Sequence, residues 1–405
     1  MKKTSLIFAF LISFTFFTAT AIAQTNTNNL TIGIVDSVDS KILNEKRRVL
    51  IHVPKGEGKK FPVLYVLDGD DHFEAMVGMM KRLNSTDNCP EMIIVGISNA
   101  NRNRSRDLTH TKADDPRFRL RNTGGGEKFM GFIEKELIPK IESSYATAPY
   151  RIFVGHSAGG LFAMNTLLKQ NHLFNAYLAI DPGMLHDDKR LLKEAKKILA
   201  ENSFAGKSLF LAIANSMSEG MDTISVRKDD SFSSMMIRPI LETQDLLLAT
   251  YKSNQLNFES KYYAHDDHRS VAFLAEYDAI RFFFKDYKFI MKDVYSTDAN
   301  AKLSAILEAH YKKVSKQLGY TVNPDENLVN DAGYAALGAK QLDKAGDLFK
   351  LNVKNYPKSS NAFDSLGDYY LEINDYANAT ENFKKTLEIK EIPQTRTKLE
   401  KLLKK

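Results

Sequence analysis

The chain has no tryptophan, and one cysteine, Cys89, in 405 residues. A lone thiol rules out any internal disulfide, so even an exported form must rely on its packed core. Runs of one charge sign are also missing. The 56 basic and 50 acidic side chains are interspersed and leave a formal charge of only +6, which gives no reason to expect a nucleic-acid partner. Metal-ligand sets are scarce. His265-Asp266-Asp267-His268 is the one compact group, and no third or fourth ligand stands near it, so neither a metal nor any other cofactor is expected. An apolar share of 43% and a charged share of 26% are those of an ordinary globular protein, and the length suggests two domains.

Long apolar runs are absent except near the start. Lys2 and Lys3 precede an apolar stretch from Leu6 to Phe17, and Ala21-Ile22-Ala23 forms a small-x-small cleavage site before Gln24. Residues 1–23 therefore read as a secretory signal peptide, with an apolar stretch too short for a membrane span. No cysteine follows the cleavage point, which argues against a lipoprotein. The expected mature protein is periplasmic or secreted, bacterial, and without a membrane span.

Gly155-His156-Ser157-Ala158-Gly159 is the most informative segment. It follows the β-type run Arg151–Val154 and leads into the helical run Gly159–Gln170. A serine at the apex of a strand–turn–helix is held in a strained conformation that exposes its hydroxyl, and the glycines leave room for the turn. Ser157 is the expected nucleophile. It needs a base, and for a serine on such an elbow the order along the chain is serine, acid, histidine. His172 closes the elbow helix and His310 lies beyond the strand pattern. His265 and His268 sit in the loop after the last strand, Phe258–Ala264, and His268 is the favoured base. For the acid, the loop after the strand Ser208–Ala214 offers Glu219 first and Asp222 second, with Asp266 and Asp267 as rivals beside the histidines. Glu219 is the preferred choice, and a dyad with no acid stays open. The Ala158 N–H is one expected oxyanion donor, and the N–H of Asp70, in the loop Asp68–Asp71 after an early strand, is the other.

Strand-type runs at Arg47–Val53, Pro62–Leu67, Met92–Ser98, Arg151–Val154, Ala176–Ile180, Ser208–Ala214 and Phe258–Ala264 alternate with helical runs. Such alternation predicts an α/β fold with a doubly wound, mostly parallel sheet covered on both faces. Arg102, Arg104, Arg106, Arg117, Arg119 and Arg121 lie in the long loop after Met92–Ser98, on the expected catalytic side. Arg104 and Arg106 are the candidates for gripping an anionic substrate. From about residue 322 a different pattern begins. Gly333 and Gly367, Ala345 and Ala379, and Phe349 and Phe383 are each 34 residues apart, a helix–turn–helix period that resembles tetratricopeptide repeats. Two units, 328–357 and 361–390, would be followed by a capping helix. They would form either a surface for a protein partner or an appendage shaping the rim of the site. The expected organisation is a signal peptide at 1–23, an α/β-hydrolase esterase domain at 24–292, a linker helix region at 293–322 and an all-α repeat domain at 323–405.

Several stretches together resemble the esterase D-like branch of the α/β-hydrolases, which includes the enterobactin- and bacillibactin-type siderophore esterases. They are Val63–Gly69, Ile94–Ile97, Arg104–Thr109, Gly125–Phe129, Glu136–Pro139, Gly155–Gly160 and Asp267–Val271. The resemblance covers roughly residues 45 to 290. It implies a serine esterase acting on a small-molecule ester, with siderophore triesters first. A small acyl or carbohydrate-linked ester is the alternative, and a non-catalytic binding protein on the same scaffold is a third reading. The chain departs from the branch after Ala176–Ile180. There the branch tends to read Ser-Pro-Ser with following tryptophans, and this chain reads Asp181-Pro182-Gly183-Met184-Leu185-His186.

Overall fold

The computed structural model describes residues 30–404 apart from 57, 100–102, 117–119 and 291–301. The expected signal peptide, and Arg102, Arg117 and Arg119, lie outside the described residues. All regular structure among the described residues lies within the compact unit Gly33–Lys405. The described residues form eight strands: β1 (Ile34–Ser40), β2 (Glu45–His52), β3 (Phe61–Leu67), β4 (Ile93–Ile97), β5 (Thr147–His156), β6 (Ala176–Ile180), β7 (Ser208–Ala214) and β8 (Asn257–Tyr263). They form one sheet in the order β1-β2-β4-β3-β5-β6-β7-β8. β1 and β2 are antiparallel, as are β2 and β4, and the remaining pairs are parallel.

Every residue of β3, β4, β6 and β7 is buried. These strands read as unbroken apolar runs because helices cover both faces. β8, at the edge, alternates exposed and half-buried residues. β1 has no counterpart among the expected strands. Its residues Ile-Val-Asp-Ser-Val-Asp-Ser mix polar and apolar types, and pairing with β2 makes it a strand. The helices around the sheet are α1 (Gly69–Asn84), α2 (Arg104–Leu108), α3 (Gly126–Phe132), α4 (Ile138–Ser144), α5 (Ala158–Lys169), α6 (His186–Glu201), α7 (Ile237–Thr250) and α8 (Val271–Phe283), with a π-helical turn at Ile133–Leu137 joining α3 to α4.

The rest is helical: α9 (Leu303–Leu318), α10 (Glu326–Gly338), α11 (Leu342–Asn355), α12 (Ser360–Glu372), α13 (Tyr376–Ile389) and α14 (Pro393–Leu403). Side chains cap three of these N-termini: Asp325 accepts from Leu328 N–H, Ser359 from Ala362 N–H and Asp375 from Asn378 N–H. Packing repeats along the chain. A Cβ on Gly333 would lie 2.6 Å from the Phe349 ring, and one on Gly367 would lie 2.4 Å from the Phe383 ring. The same contact thus recurs 34 residues on, because only a bare Cα lets each aromatic ring approach its paired helix. Leu303 and Leu307 of α9 share a core with Val329, Ala332, Leu348 and Leu351. α9 then reaches the sheet domain. Gln317 Nε2 donates to Phe283 O at 2.6 Å, and Gly319, the C-cap of α9, lies against Pro149, next to Tyr150. Tyr150 stands near the start of β5, six residues and about 20 Å from His156 at its other end. Of the two roles expected of the helical region, these contacts do not favour shaping the rim of the site, since they anchor it at the end of β5 opposite Ser157.

The carboxyl ends of β3 and β5 are tied together by Arg104. Its Nε and Nη2 donate to Asp68 Oδ1 and Oδ2 at 2.6 and 2.8 Å, and Nη2 also donates to His156 O at 3.1 Å. Asn99 Nδ2 adds a bond to Asp68 Oδ1 at 2.6 Å. Asp68 is buried and left-handed, with φ 52° and ψ 45°. Burial alone would raise its pKa, but the hydrogen bonds and charge of Arg104, with Asn99, outweigh burial and hold it below the usual carboxylate range. Arg106 is also committed. It donates to Glu45 at 2.7 and 3.2 Å and to Asp107 at 2.7 Å. Buried Arg47 bridges the same two carboxylates.

Two predictions follow from this framework. A Cβ on Gly155 would lie 2.1 Å from the Gly159 carbonyl oxygen, and neither backbone can yield, so Gly155→Ala should lose at least about 2 kcal/mol by thermal or urea denaturation. Asp68 has a depressed folded pKa. Its stabilisation is therefore complete above the unfolded value of about 3.9 and is lost as pH falls through the folded value. Asp68→Asn should cost about 1–3 kcal/mol near neutrality. The Tm gap between wild type and variant should narrow as the pH drops below about 4.

Candidate active site

Ser157 links β5 directly to α5 with φ 60° and ψ −118°. An L-residue rarely adopts this conformation, so neighbouring bonds must hold it. Ser157 N–H donates to Ile180 O at 2.9 Å, while Ser157 O accepts from Gly183 N–H and Leu161 N–H, each at 3.0 Å. The turn is thus clamped to the end of β6. Close approach is needed at Gly155 and also at Gly160, where a Cβ would lie 2.9 Å from Ile180 O. At Gly159 a Cβ would make only ordinary contact, at 3.4 Å.

His268 lies in the loop between β8 and α8. Its Nε2 is 3.0 Å from Ser157 Oγ, and its Nδ1 is 2.6 Å from Asp181 Oδ2. A carboxylate only accepts, so the proton of a neutral His268 belongs on Nδ1 and the Nε2 lone pair faces the serine. Asp181 is buried, 3% exposed, and follows β6 directly. Its Oδ1 accepts from Ala214 N–H at 3.0 Å, and its own N–H donates to Ala212 O at 2.8 Å.

The partner of His268 Nδ1 is therefore Asp181, a correction to the expectation of Glu219. Glu219 is exposed in a turn beyond β7. The sheet order explains the difference. β6 lies beside β5, whereas β7 is one strand further out, about 4.8 Å more. The other acid candidates serve turns. Asp222 Oδ1 accepts from Ile224 and Ser225 N–H at 3.0 and 2.7 Å, and Asp267 Oδ1 accepts from Arg269 and Ser270 N–H at 2.7 and 2.9 Å. Asp266 Oδ1 accepts from Ser270 Oγ at 2.8 Å. His265 is exposed. The sequence did carry a signal for Asp181, because this aspartate stands where the resembling branch has the first serine of its Ser-Pro-Ser.

A cavity of about 720 Å³ opens over Ser157 and His268, within the usual range for a small-molecule site. Leu120, Leu161, Leu185, Met235 and Met236 supply apolar wall, and Asp114, Asp115, Asp187 and Asp188 bring carboxylates to it. Arg104 also lines it, with its guanidinium committed to Asp68, while Arg106 is held by Glu45 and Asp107 away from this lining. Ala158 is the first residue of α5 and lines the cavity. Asp70 is in the first turn of α1, and its carboxylate accepts from Arg48 and from Ser98 Oγ. Among the described residues no group of three or more His, Cys, Asp or Glu side chains is arranged to hold a metal ion.

Known proteins resemble this chain at both levels. The Esterase family, described as "Putative esterase", matches residues 40–206. The ferri-bacillibactin esterase of Bacillus subtilis is 32% identical over 149 residues, which are 33% of this chain and 52% of that protein. The chain spans about half the length of the first curated relatives it matches. Among solved structures, an uncharacterised protein from Capnocytophaga ochracea shares the fold at 19% identity and a TM-score of 0.66, over 92% of this chain and 100% of that one. An IroE-like serine hydrolase from Shewanella oneidensis is 31% identical with a TM-score of 0.64, over 79% of this chain and 98% of that one. A likeness that takes in nearly the whole of that hydrolase, added to the family match across Gly155–Gly159, means that this chain belongs to the Esterase family.

Proposed function

We propose that the protein is an exported serine esterase. It cleaves a carboxylic ester by way of an acyl-enzyme, and siderophore esters are the first substrate class. The observation that carries this reading is the continuous line from Asp181 through His268 to Ser157 Oγ, at 2.6 and 3.0 Å. Ser157 Oγ attacks the ester carbonyl while His268 Nε2 takes its proton. His268 then returns that proton to the departing alkoxide, and the acyl group remains on Ser157. Water, activated by the same nitrogen, adds to the acyl carbon and releases the acid. Asp181 holds the imidazole and stabilises its charged form. The tetrahedral oxyanion is received by the Ala158 N–H, at the positive end of α5, and by the Asp70 N–H, in the first turn of α1.

The siderophore assignment is supported by the names of the relatives, among them the ferri-bacillibactin esterase of Bacillus subtilis and a siderophore triacetylfusarinine C esterase of Aspergillus fumigatus. Export is supported by the basic, apolar and small-residue pattern of residues 1–23. A second reading, a neutral or cationic ester, is favoured by the carboxylates on the cavity wall and by the ion pairs that occupy Arg104 and Arg106.

Ser157→Ala and His268→Ala should each lower kcat by about 10⁴-fold or more on p-nitrophenyl esters, with the fold intact. Asp181→Asn should cost about 10²–10⁴-fold and Glu219→Gln less than about twofold. The reverse order for the two acids would return the role to Glu219. Charge at the cavity mouth can be read from salt. With carboxylates dominant, kcat/KM for a cationic ester falls as ionic strength rises and that for an anionic ester climbs, since the screening length is about 8 Å at physiological salt. The opposite pair of slopes would favour an anionic substrate.

A further inference from the structure

Three histidines from three elements meet around the catalytic serine. His156 ends β5, and its ring centroid lies 4.6 Å from that of His268 at an interplanar angle of 37°. His72, on α1, lies edge-on to His156, with centroids 5.9 Å apart at 72°. His72 Nδ1 is in turn 2.7 Å from Glu276 Oε1, on α8, and Glu276 is 1% exposed. The main chain of His156 is pinned by Arg104 Nη2 on its carbonyl. Its Nε2 is buried with no hydrogen-bond partner.

His268 needs such support. It hangs from the exposed loop 264–270, and its side chain is 40% accessible. Its contacts with Asp181 and Ser157 fix the two ring nitrogens and leave the ring free to turn about the line that joins them. A second group packed on the ring face removes this freedom. A positioned base depends on such fixing, because small misplacements cost large factors in rate.

We propose that His156, braced by the His72–Glu276 pair, is a positioning residue that holds the His268 ring in the plane where it meets Asp181 and Ser157 together. This rests on the reading of Ser157 and His268 as nucleophile and base. The charges around His156 suit the role. Burial, and then His268 and His72 when they carry a proton, bring its pKa down to about 4, against the opposing pull of Asp181. Burial also lowers His72, but the bond and charge of Glu276 more than offset this and raise it. Burial raises Glu276 in turn, with His72 opposing. A proton in this cluster therefore stays on the His72–Glu276 contact. His156 remains neutral and does not oppose the charge that His268 acquires during the reaction.

The test uses the full chain, with active sites counted by exhaustive fluorophosphonate labelling so that misfolded protein does not enter the rate. In His156→Ala, kcat per labelled site should fall about tenfold or more while KM stays within about twofold. The downfield proton resonance of the His268–Asp181 bond should broaden or disappear. His156→Phe keeps a ring face but changes its size and shape against His268, so its kcat per site should lie between those of Ala and wild type. If His156→Ala yields no folded protein, His156→Phe decides: a reduced kcat per site with an altered resonance upholds the inference, and wild-type values overturn it. A merely structural role would lower the number of labelled sites and leave kcat per site and the resonance unchanged, which also overturns it. Ser157→Ala in the same series separates the two levels. Persisting turnover there removes the reading of the site itself. Abolished turnover, with full kcat per site in the His156 variants, removes only the role of His156.

Discussion

The guanidinium of Arg104 is the tie on which the site depends. It grips both oxygens of Asp68 at the end of β3 and the carbonyl of His156 at the end of β5, so two adjacent parallel strands are joined where the chain turns most sharply. Asp68 and Ser157 both have positive φ, and such residues cost about 1–3 kcal/mol each unless their surroundings hold them. A buried carboxylate is unfavourable without a partner, and here two parallel N–H donors satisfy it. The pair is formed inside the scaffold, which is why Arg104 cannot also serve as a free grip for an anionic substrate.

From this tie the site extends across the carboxyl ends of neighbouring strands. β5 delivers Ser157, β6 delivers Asp181 and the loop after β8 delivers His268, as expected of ligand sites in open α/β sheets. The Ser157 main chain and the Asp181 carboxylate are both held by backbone groups of other segments. Ser157 is held by Ile180 O and by Gly183 N–H, and Asp181 by Ala214 N–H. The geometry of the candidate site is therefore a property of the sheet register more than of any one loop. The cavity beside it combines Leu and Met side chains with carboxylates, a lining whose charge differs from what the arginine-rich loop suggested.

The helical region is built from one repeated contact, a glycine on one helix receiving an aromatic ring from the next, at Gly333 with Phe349 and at Gly367 with Phe383. Helix pairs of this kind cannot bury their faces alone, and α9 supplies the first of them with a wall through Leu303 and Leu307. The same helix meets Phe283 O through Gln317 and Pro149 through Gly319, its C-cap. Its anchorage lies at the end of β5 remote from Ser157, which leaves the mouth of the cavity to the loops.

The sequence by itself determined the parts that depend on local pattern. Unbroken apolar runs marked β3, β4, β6 and β7, because strands buried on both faces can hold nothing else. The Gly155–Gly159 run marked the elbow, because a sharp strand-to-helix turn requires a residue without a Cβ, and the 34-residue spacing of glycine and phenylalanine marked the helix pairs. Tertiary structure decided what depends on which elements lie side by side. Asp181 rather than Glu219 faces His268 because β6 adjoins β5 in the sheet, an order that chain order does not contain. Arg104 and Arg106 became internal ties because Asp68, Glu45 and Asp107, distant or unremarkable in sequence, fold against them and satisfy their charge. Ile34–Ser40 became a strand only because the edge of β2 was there to pair with it.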